Sequence, residues 1–278
     1  MVSVFELQTA SGTIQTFGSY PNMSAASASL PAGAYTTFRT YSGDRVVRLP
    51  GHLRRLEESL GLMGDTVRLD PVAARRAIAA ARQVAGHAES RFRVTLVAGP
   101  PVRLMVAVEA FTPLPAADFA RGVRCVTVSA QRSNPHAKST DFISTADRTK
   151  NQLPAGVNEG LMVGEDGVIL EGLSSNFFAI TGRTLRTEEE RALSGMTRAL
   201  VLEVAASTGL DLDRHGIRQS ELPSVEECFI TSVSREILPV VEIDDQPIGS
   251  GVPGPRTVAL MTAFAALAQR EARPILPV

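Results

Sequence analysis

Three short patterns bring together residue types that could do chemistry. The first is residues 193–198 (LSGMTR), at the start of a stretch with helical spacing. Backbone N–H groups at a helix N-terminus, the helix dipole and the Thr197 hydroxyl together suit a phosphate group. The alternative is an ordinary Ser or Thr cap, which is the commoner role of so short a motif. The pattern alone leaves both interpretations open.

The second pattern is a polar turn, residues 171–176 (EGLSSN), between two apolar runs. It places the Glu171 carboxylate and several hydroxyls where a sheet ends, and loops at such positions commonly line binding sites. The alternative is a surface loop with an exposed glutamate, since carboxylates are mostly exposed.

The third pattern is residues 52–56 (HLRRL) on a predicted helix. Arg54 and Arg55 follow each other, and consecutive residues on a helix do not face the same way. One of them could therefore point into a site. The alternative is a solvated arginine face, the usual place for these side chains.

The elements that position these patterns follow from periodicity. Residues 19–33 are rich in small residues and prolines, which predicts a loop. Helices are predicted from about Gly51 and from Pro71 to Gly86, the second capped by Asp70. β-Branched and aromatic runs predict four strands, the first two forming a hairpin, at residues 35–41, 45–49, 91–98 and 102–109.

The two prolines of residues 111–117 indicate a connector between domains. Beyond it, strands are predicted at residues 123–130, 161–163, 168–170 and 177–180. Helices are predicted at residues 196–207, ending near Gly209, and at about 256–271. For the last helix we expect an apolar face of Val258, Met261, Ala265 and Leu267.

Composition limits the class of protein. The chain has 278 residues, 44% of them hydrophobic, and its net charge of -1 requires no nucleic-acid or acidic-membrane partner. Cys125 and Cys228 cannot build a disulfide framework, so we expect core cysteines and a cytoplasmic location. No leader or membrane span is expected. The length predicts two domains, and the proline-containing connector sets their bounds at residues 1–114 and 115–278.

Metal chemistry is not expected, because the four histidines are scattered without ligand spacing, at His52, His87, His136 and His215.

Taken together and in order, the patterns resemble the fold-type IV enzymes that depend on pyridoxal phosphate. This class IV aminotransferase group contains branched-chain and D-amino-acid aminotransferases and aminodeoxychorismate lyase. The resemblance spans most of the chain, through residues 33–39, 52–56, 93–99, 134–138, 171–178, 193–198 and 229–240. It implies a two-domain α/β (α+β) fold like that of D-amino-acid aminotransferase, with a small N-terminal and a larger C-terminal domain. It also implies a homodimer and a cofactor held in the cleft between the domains.

The resemblance assigns the lysine that carries the cofactor. Family members place this lysine at a nearly fixed spacing before the glutamate of the Glu-Gly-x-x-x-Asn turn, and counting back from Glu171 reaches Lys138. Lys150 is the rival, but it lies in a polar run that we expect to be solvated. Glu171 would sit against the pyridine nitrogen and keep it protonated.

The resemblance also assigns the remaining cofactor contacts. The implied residues, which include the phosphate contacts, are Arg55, Ser174, Ser175, Asn176, Met196, Thr197, Ser232 and Val233. Val233 is a departure, because many relatives have Ser or Thr there, and we expect weaker cofactor retention. Phe142 is a second departure: relatives often have a Tyr there, and Phe cannot donate a hydrogen bond to the phenolic oxygen of the cofactor.

The implied activity is transfer of an amino group between an amino acid, branched-chain-like or D, and a 2-oxo acid. Tyr35, Arg39, Tyr41 and Arg93 would line the substrate side, where an Arg could hold a carboxylate. The alternatives are aminodeoxychorismate lyase, which forms p-aminobenzoate and pyruvate, and a non-catalytic protein that keeps the fold. Transamination is preferred because residues 235–240 (REILPV) look more like the aminotransferases than the lyases of the group.

Overall fold

A computed structural model describes residues 1–8 and 13–277. The first half of the chain contains the elements β1 (Val2–Gln8), β2 (Thr13–Tyr20), α1 (Met23–Ala28), β3 (Ala34–Tyr41), β4 (Arg45–Val47), α2 (Leu49–Leu62), α3 (Pro71–Ala85), β5 (Ser90–Val97), β6 (Arg103–Ala110), α4 (Ala116–Arg121) and β7 (Val123–Val128). The second half contains α5 (Asp141–Lys150), β8 (Val157–Val163), β9 (Ile169–Gly172), β10 (Asn176–Thr181), β11 (Thr184–Arg186), α6 (Met196–Ser207), β12 (Asp211–Asp213), a 3₁₀ turn (Gln219–Ser224), β13 (Glu227–Ser232), β14 (Glu236–Ile243), β15 (Gln246–Pro247), α7 (Pro255–Glu271) and β16 (Ala272–Pro274).

The chain forms two compact units. Unit 1 consists of Met1–Thr112, Ala137–Thr145 and Gln269–Val278, and unit 2 consists of Pro113–His136 and Ala146–Ala268. Unit 1 therefore takes two short segments from the second half of the sequence. The assignment of functional domains to residues 1–114 and 115–278 stays a prediction.

Unit 1 is built on a seven-stranded antiparallel sheet in the order β16-β4-β3-β5-β6-β1-β2. The hairpin of β3 and β4 and the strands β5 and β6 confirm the predicted strands. Strand β3 turns the side chains of Thr36, Phe38 and Thr40 to one face, where they are buried, and α2 packs against this strand. This packing places residues of α2 next to residues of β3.

Helix α3 forms where its signals predict it. The Asp70 side chain accepts from the N–H groups of Val72 and Ala73, Pro71 occupies the first turn, and Gly86 ends the helix in the left-handed region.

The predicted loop at residues 19–33 is wrong in its middle, because Met23–Ala28 form the short helix α1. The Asn22 side chain caps it, and Met23 and Ala26 join the core that includes Val4 and Met105. Burial of this apolar side offsets the weak helical pattern of a Ser- and Ala-rich stretch.

Unit 2 contains a nine-stranded mixed sheet in which β12-β11-β10-β13-β14-β7-β8-β9 follow one another and β15 pairs with β14. Its core includes both cysteines, Cys125 and Cys228, which are buried and unpaired as expected, and burial raises the pKa of each thiol. Helices α6 and α7 form near the predicted bounds.

The predicted apolar face of α7 is wrong in part. Leu267 is buried, but Val258 is 48% exposed and Ala265 is exposed, while Leu260 and Phe264 are buried instead. An i, i+4, i+7 stripe thus faces the core, displaced around the helix from the expected one. Among the described residues, no helix has both the length and the apolar character that a membrane span requires.

Candidate active site

In unit 1, the main chain fixes Lys138 at the start of β3. The Lys138 carbonyl accepts a hydrogen bond from the Tyr35 N–H (2.8 Å), and the Lys138 N–H donates to Ser59 Oγ on α2 (3.1 Å). A β-bridge between Ala34 and Ser139 continues the attachment. The Nζ atom lies 4.6 Å from the centroid of the Tyr35 ring. An amine is therefore held over an aromatic ring by a rigid main chain.

Arg55 lies in the same unit, on α2. Arg54 is exposed and Arg55 is buried, so only the second arginine points inward. Its Nη2 donates to Thr36 Oγ1 (2.7 Å), whereas Nε has no hydrogen-bond partner among the described residues. Burial lowers the pKa of Arg55 to about 10. A buried cation with an N–H that lacks an acceptor favours an anion beside it.

His52, one turn earlier on α2, contacts the same threonine. Its Nδ1 lies 2.8 Å from Thr36 Oγ1, and its ring packs against Phe38 with centroids 5.3 Å apart. Burial, then the charges of Arg55 and Lys138, lower the pKa of His52 well below its usual value, so this ring is neutral.

The four residues expected on the substrate side fall into two pairs. Arg93 lies near Tyr35, with its guanidinium carbon 5.1 Å from the ring centroid, and donates to the Ser27 hydroxyl of α1. Arg39 instead stacks 3.7 Å from the centroid of the Tyr41 ring. Lys138 Nζ contacts the first pair through Tyr35.

In unit 2, Glu171 is a buried carboxylate with a cationic partner. Arg132 Nε donates to its Oε1 (2.8 Å), and the two side chains are 5% and 3% exposed. The Leu193 N–H (3.2 Å) and Asn176 Nδ2 (3.4 Å) donate to Oε2. Because these donors stabilise negative charge, Glu171 is held as a carboxylate and is not the exposed glutamate of the alternative interpretation.

The hydroxyls of the same turn have a different acceptor. Ser174 and Ser175 both donate to Glu159 Oε2 (2.8 and 3.1 Å). Arg235 donates to Glu159 Oε2 (2.6 Å), and Lys150 lies 3.7 Å from Oε1 and donates to Ser174. The expectation that Lys150 is simply solvated is therefore wrong.

Burial alone would raise the pKa of Glu159, but the charges of Arg235 and Lys150 outweigh burial and hold it below its usual range. This carboxylate joins the turn at residues 171–176 to the segment that follows β13. Glu159 and Arg132 were not found from the sequence. The one signal for Glu159 was a charged residue just before the apolar end of strand β8, residues 161–163.

The start of α6 offers free backbone donors. Gly195 is the N-cap, and no side chain caps the helix. A Cβ at Gly195 would lie 2.1 Å from Asn176 Oδ1, so only glycine fits beside this asparagine. The Ser or Thr cap of the alternative interpretation is therefore absent, and the N–H groups of Met196 and Thr197 remain available to an anion.

The turn after β13 and the helix α5 carry the two departures. The Ser232 hydroxyl accepts from the Arg235 N–H (3.3 Å), which leaves its own proton available to donate, and Val233 is half-buried. Phe142 is 8% exposed and lies in the part of α5 that belongs to unit 1. Among the described residues, no group of three His, Cys, Asp or Glu side chains could hold a metal ion.

Comparisons with known proteins agree with the fold. A structure of the branched-chain amino acid aminotransferase of Escherichia coli superposes with a TM-score of 0.80 at 19% identity, covering 99% of this chain and 99% of that one. A hypothetical aminotransferase from Mycobacterium tuberculosis, in a PLP-bound form, gives 0.77 at 22% identity, covering 98% and 100%. The predicted α/β class is confirmed.

Curated relatives match parts of the chain. A D-alanine aminotransferase of Bacillus licheniformis is 37% identical over 112 residues, 40% of this chain and 39% of the relative. A putative branched-chain-amino-acid aminotransferase of Methanocaldococcus jannaschii is 29% identical over 173 residues, 60% and 59%. The aligned parts cover less than two thirds of either relative. The family model for amino-transferase class IV matches residues 33–243, most of the sequence, and the chain therefore belongs to the class IV aminotransferase family.

Proposed function

We propose that this chain is a pyridoxal-phosphate-dependent aminotransferase that exchanges an amino group between an amino acid and a 2-oxo acid. The observation that carries the proposal lies in unit 1. There the main chain of Lys138 and the buried Arg55 guanidinium, whose Nε has no partner among the described residues, are both hydrogen-bonded to β3. An amine that can bond covalently to an aldehyde and a cation that needs an anion are the two groups that this cofactor requires.

The side chains present fit the cofactor. The unpartnered Nε of Arg55 suits its phosphate, as do the uncapped start of α6 at Met196 and Thr197 and the Ser232 hydroxyl. Glu171 supplies a carboxylate for the ring nitrogen, and Asn176 holds this carboxylate. When bound, pyridoxal phosphate supplies an electron-accepting ring that stabilises negative charge on the substrate α-carbon.

Four residues that the resemblance singles out have an altered role in the proposal. Ser174 and Ser175 act by holding the turn through Glu159, because their protons are directed to that carboxylate. Val233 offers only its backbone N–H. Phe142 offers no donor to the cofactor's phenolic oxygen.

The amine of Lys138 is the proton carrier of the proposed reaction. Nζ would accept the proton from the α-carbon of the amino acid and deliver it to the cofactor carbon that carries the amino nitrogen, so one residue would be both base and acid. Tyr35 lies beside Nζ and limits the directions from which water approaches it. Arg93, next to Tyr35, offers a guanidinium for a substrate carboxylate. We assign Arg39 and Tyr41 to the outer part of the substrate side.

The test is the visible absorbance spectrum of the purified protein with pyridoxal phosphate, for wild type, Lys138→Arg and Lys150→Arg. Both variants keep the charge, and we expect only Lys138→Arg to lose the cofactor's lysine-dependent band. Single L- and D-amino acids are then added without a 2-oxo acid. A donor that abolishes the band supports the aminotransferase, and adding the 2-oxo acid must restore the band.

Three other outcomes would contradict the proposal. If the band responds to no amino acid but the protein turns over aminodeoxychorismate without an amino acceptor, the activity is that of the lyase. A band with neither response indicates a non-catalytic protein. A band that depends on Lys150 instead overturns the assignment of Lys138.

We further propose a homodimer in the cytoplasm. The buried, unpaired cysteines fit a reducing compartment. Sedimentation equilibrium of the purified protein measures the oligomeric state, and a monomeric mass at micromolar concentration would exclude a stable dimer.

A further inference from the structure

Thr36 is a fully buried threonine at the centre of a three-residue hydrogen-bond chain. Its Oγ1 lies 2.7 Å from Arg55 Nη2 and 2.8 Å from His52 Nδ1. The exposed fractions are 0% for Thr36, 3% for His52 and 8% for Arg55. Within unit 1, these three side chains connect strand β3 to helix α2, and bulk water does not compete for their hydrogen bonds.

The direction of each hydrogen bond follows from the chemistry of the groups. A guanidinium only donates, so Thr36 Oγ1 accepts from Arg55. The hydroxyl keeps its own proton, which it can give to an imidazole nitrogen that carries none. Burial and two nearby cations, Arg55 and Lys138, lower the pKa of His52, so the ring is neutral and one of its nitrogens carries no proton. In the tautomer with the proton on Nε2, Nδ1 is the acceptor of the Thr36 hydroxyl. The chain therefore runs from Arg55 through Thr36 to His52.

We infer that Thr36 and His52 are positioning residues, which hold the Arg55 guanidinium in the orientation that binds the phosphate monoester of the cofactor. This inference rests on the proposed function. An arginine side chain has many rotamers, and ordering it at the moment of binding would oppose binding. Thr36 fixes Nη2 beforehand and leaves Nε, which has no partner among the described residues, for the anion. His52 fixes the Thr36 hydroxyl in turn.

A positioning role makes a prediction that a purely structural role does not. If the hydrogen-bond chain serves the phosphate contact, breaking it weakens the binding of pyridoxal phosphate. The binding of pyridoxal, which lacks the phosphate, is then almost unaffected. If the chain only stabilises unit 1, both ligands weaken together. The ratio of the two dissociation constants separates these roles.

The experiment measures these two constants by absorbance titration of the full-length protein. Thr36→Val removes the hydroxyl at constant volume and Thr36→Ser retains it. His52→Leu removes the acceptor, whereas His52→Asn keeps a polar atom near the place of Nδ1. Thr257→Val is the matched control, because Thr257 is also buried but its hydroxyl has no partner within the described chain.

We expect Thr36→Val to raise the dissociation constant of pyridoxal phosphate about tenfold, since it removes a hydrogen bond to a charged group. His52→Leu should raise it about threefold, because its effect passes through Thr36. The dissociation constant of pyridoxal should change less than about twofold in every variant. Thr36→Ser, His52→Asn and Thr257→Val should bind both ligands as the wild type does.

Wild-type affinity for pyridoxal phosphate in Thr36→Val, or equal weakening of both ligands, would overturn the inference and leave the proposed function intact. Failure of the wild type to bind pyridoxal phosphate would overturn both.

Discussion

Replacing Arg132 by Met removes the cationic partner of a buried carboxylate. Arg132 and Glu171 are joined at 2.8 Å and are 5% and 3% exposed, so water cannot replace the lost partner. Removing one member of such a pair costs about 3–5 kcal/mol. The N–H of Leu193 and the amide of Asn176 still donate to Glu171, from 3.2 and 3.4 Å. We therefore expect a loss at the lower end, about 3 kcal/mol in the free energy of unfolding.

The assay is urea unfolding of the protein without cofactor, followed by far-UV circular dichroism because the chain contains no tryptophan. The double variant Arg132→Met/Glu171→Gln removes both charges and should recover more than half of the loss. Arg124→Met is the matched control, since its ion pairs with Glu242 and Asp245 are partly exposed and weakened by solvent screening. Stability of Arg132→Met close to that of Arg124→Met, or a double variant worse than the single, would refute the reasoning.

Three further predictions concern other polar groups. Because the folded-state pKa of His52 lies well below 6.5, only the unfolded chain gains this proton just below that pH. Stability should therefore fall from about pH 6.5 downward by up to ~1.4 kcal/mol per unit, and pH-dependent urea unfolding should show this slope in wild type but not in His52→Asn. Glu159→Gln should lower the melting temperature by several degrees, since it leaves Lys150 and Arg235 without their carboxylate partner. The control Glu165→Gln, at an exposed residue, should leave it unchanged. Equal melting temperatures of the two variants would exclude a stabilising role of Glu159. Asp70→Ala should cost about 1 kcal/mol through loss of the α3 cap, measured by urea unfolding against the non-capping Asp65→Ala.

Elements with local signals could be predicted from the sequence. Asp70, Pro71 and Gly86 each act within one turn of α3, so the bounds of this helix follow from neighbouring residues. The hairpin of β3 and β4 likewise depends on a short turn. Helix α1 could not be predicted, because its stability comes from Met23 and Ala26 packing into a core built by distant strands.

For the candidate site, the sequence could name the residues of the motifs, whose roles stay predictions, but not the partners that these residues have in the folded protein. The inward direction of Arg55 requires the position of β3, which supplies Thr36. Glu159 and Arg132 were missed because each partner, Arg235 and Glu171, comes from a remote part of the chain. A charged residue in a sequence does not reveal whether another charge will meet it in the folded protein.

The last strand of the chain has a consequence for how the protein is made. β16 pairs with β4, and Arg45 donates to the Ala272 carbonyl across a separation of 227 residues. During synthesis the edge of β4 therefore stays unpaired until residues 272–274 have left the ribosome. Such late, long-range pairing is slow, and bare strand edges on neighbouring nascent chains can pair with each other. Chains that stop short of residue 272 should therefore be the ones that aggregate, and pairing of residues 272–274 with β4 removes that hazard.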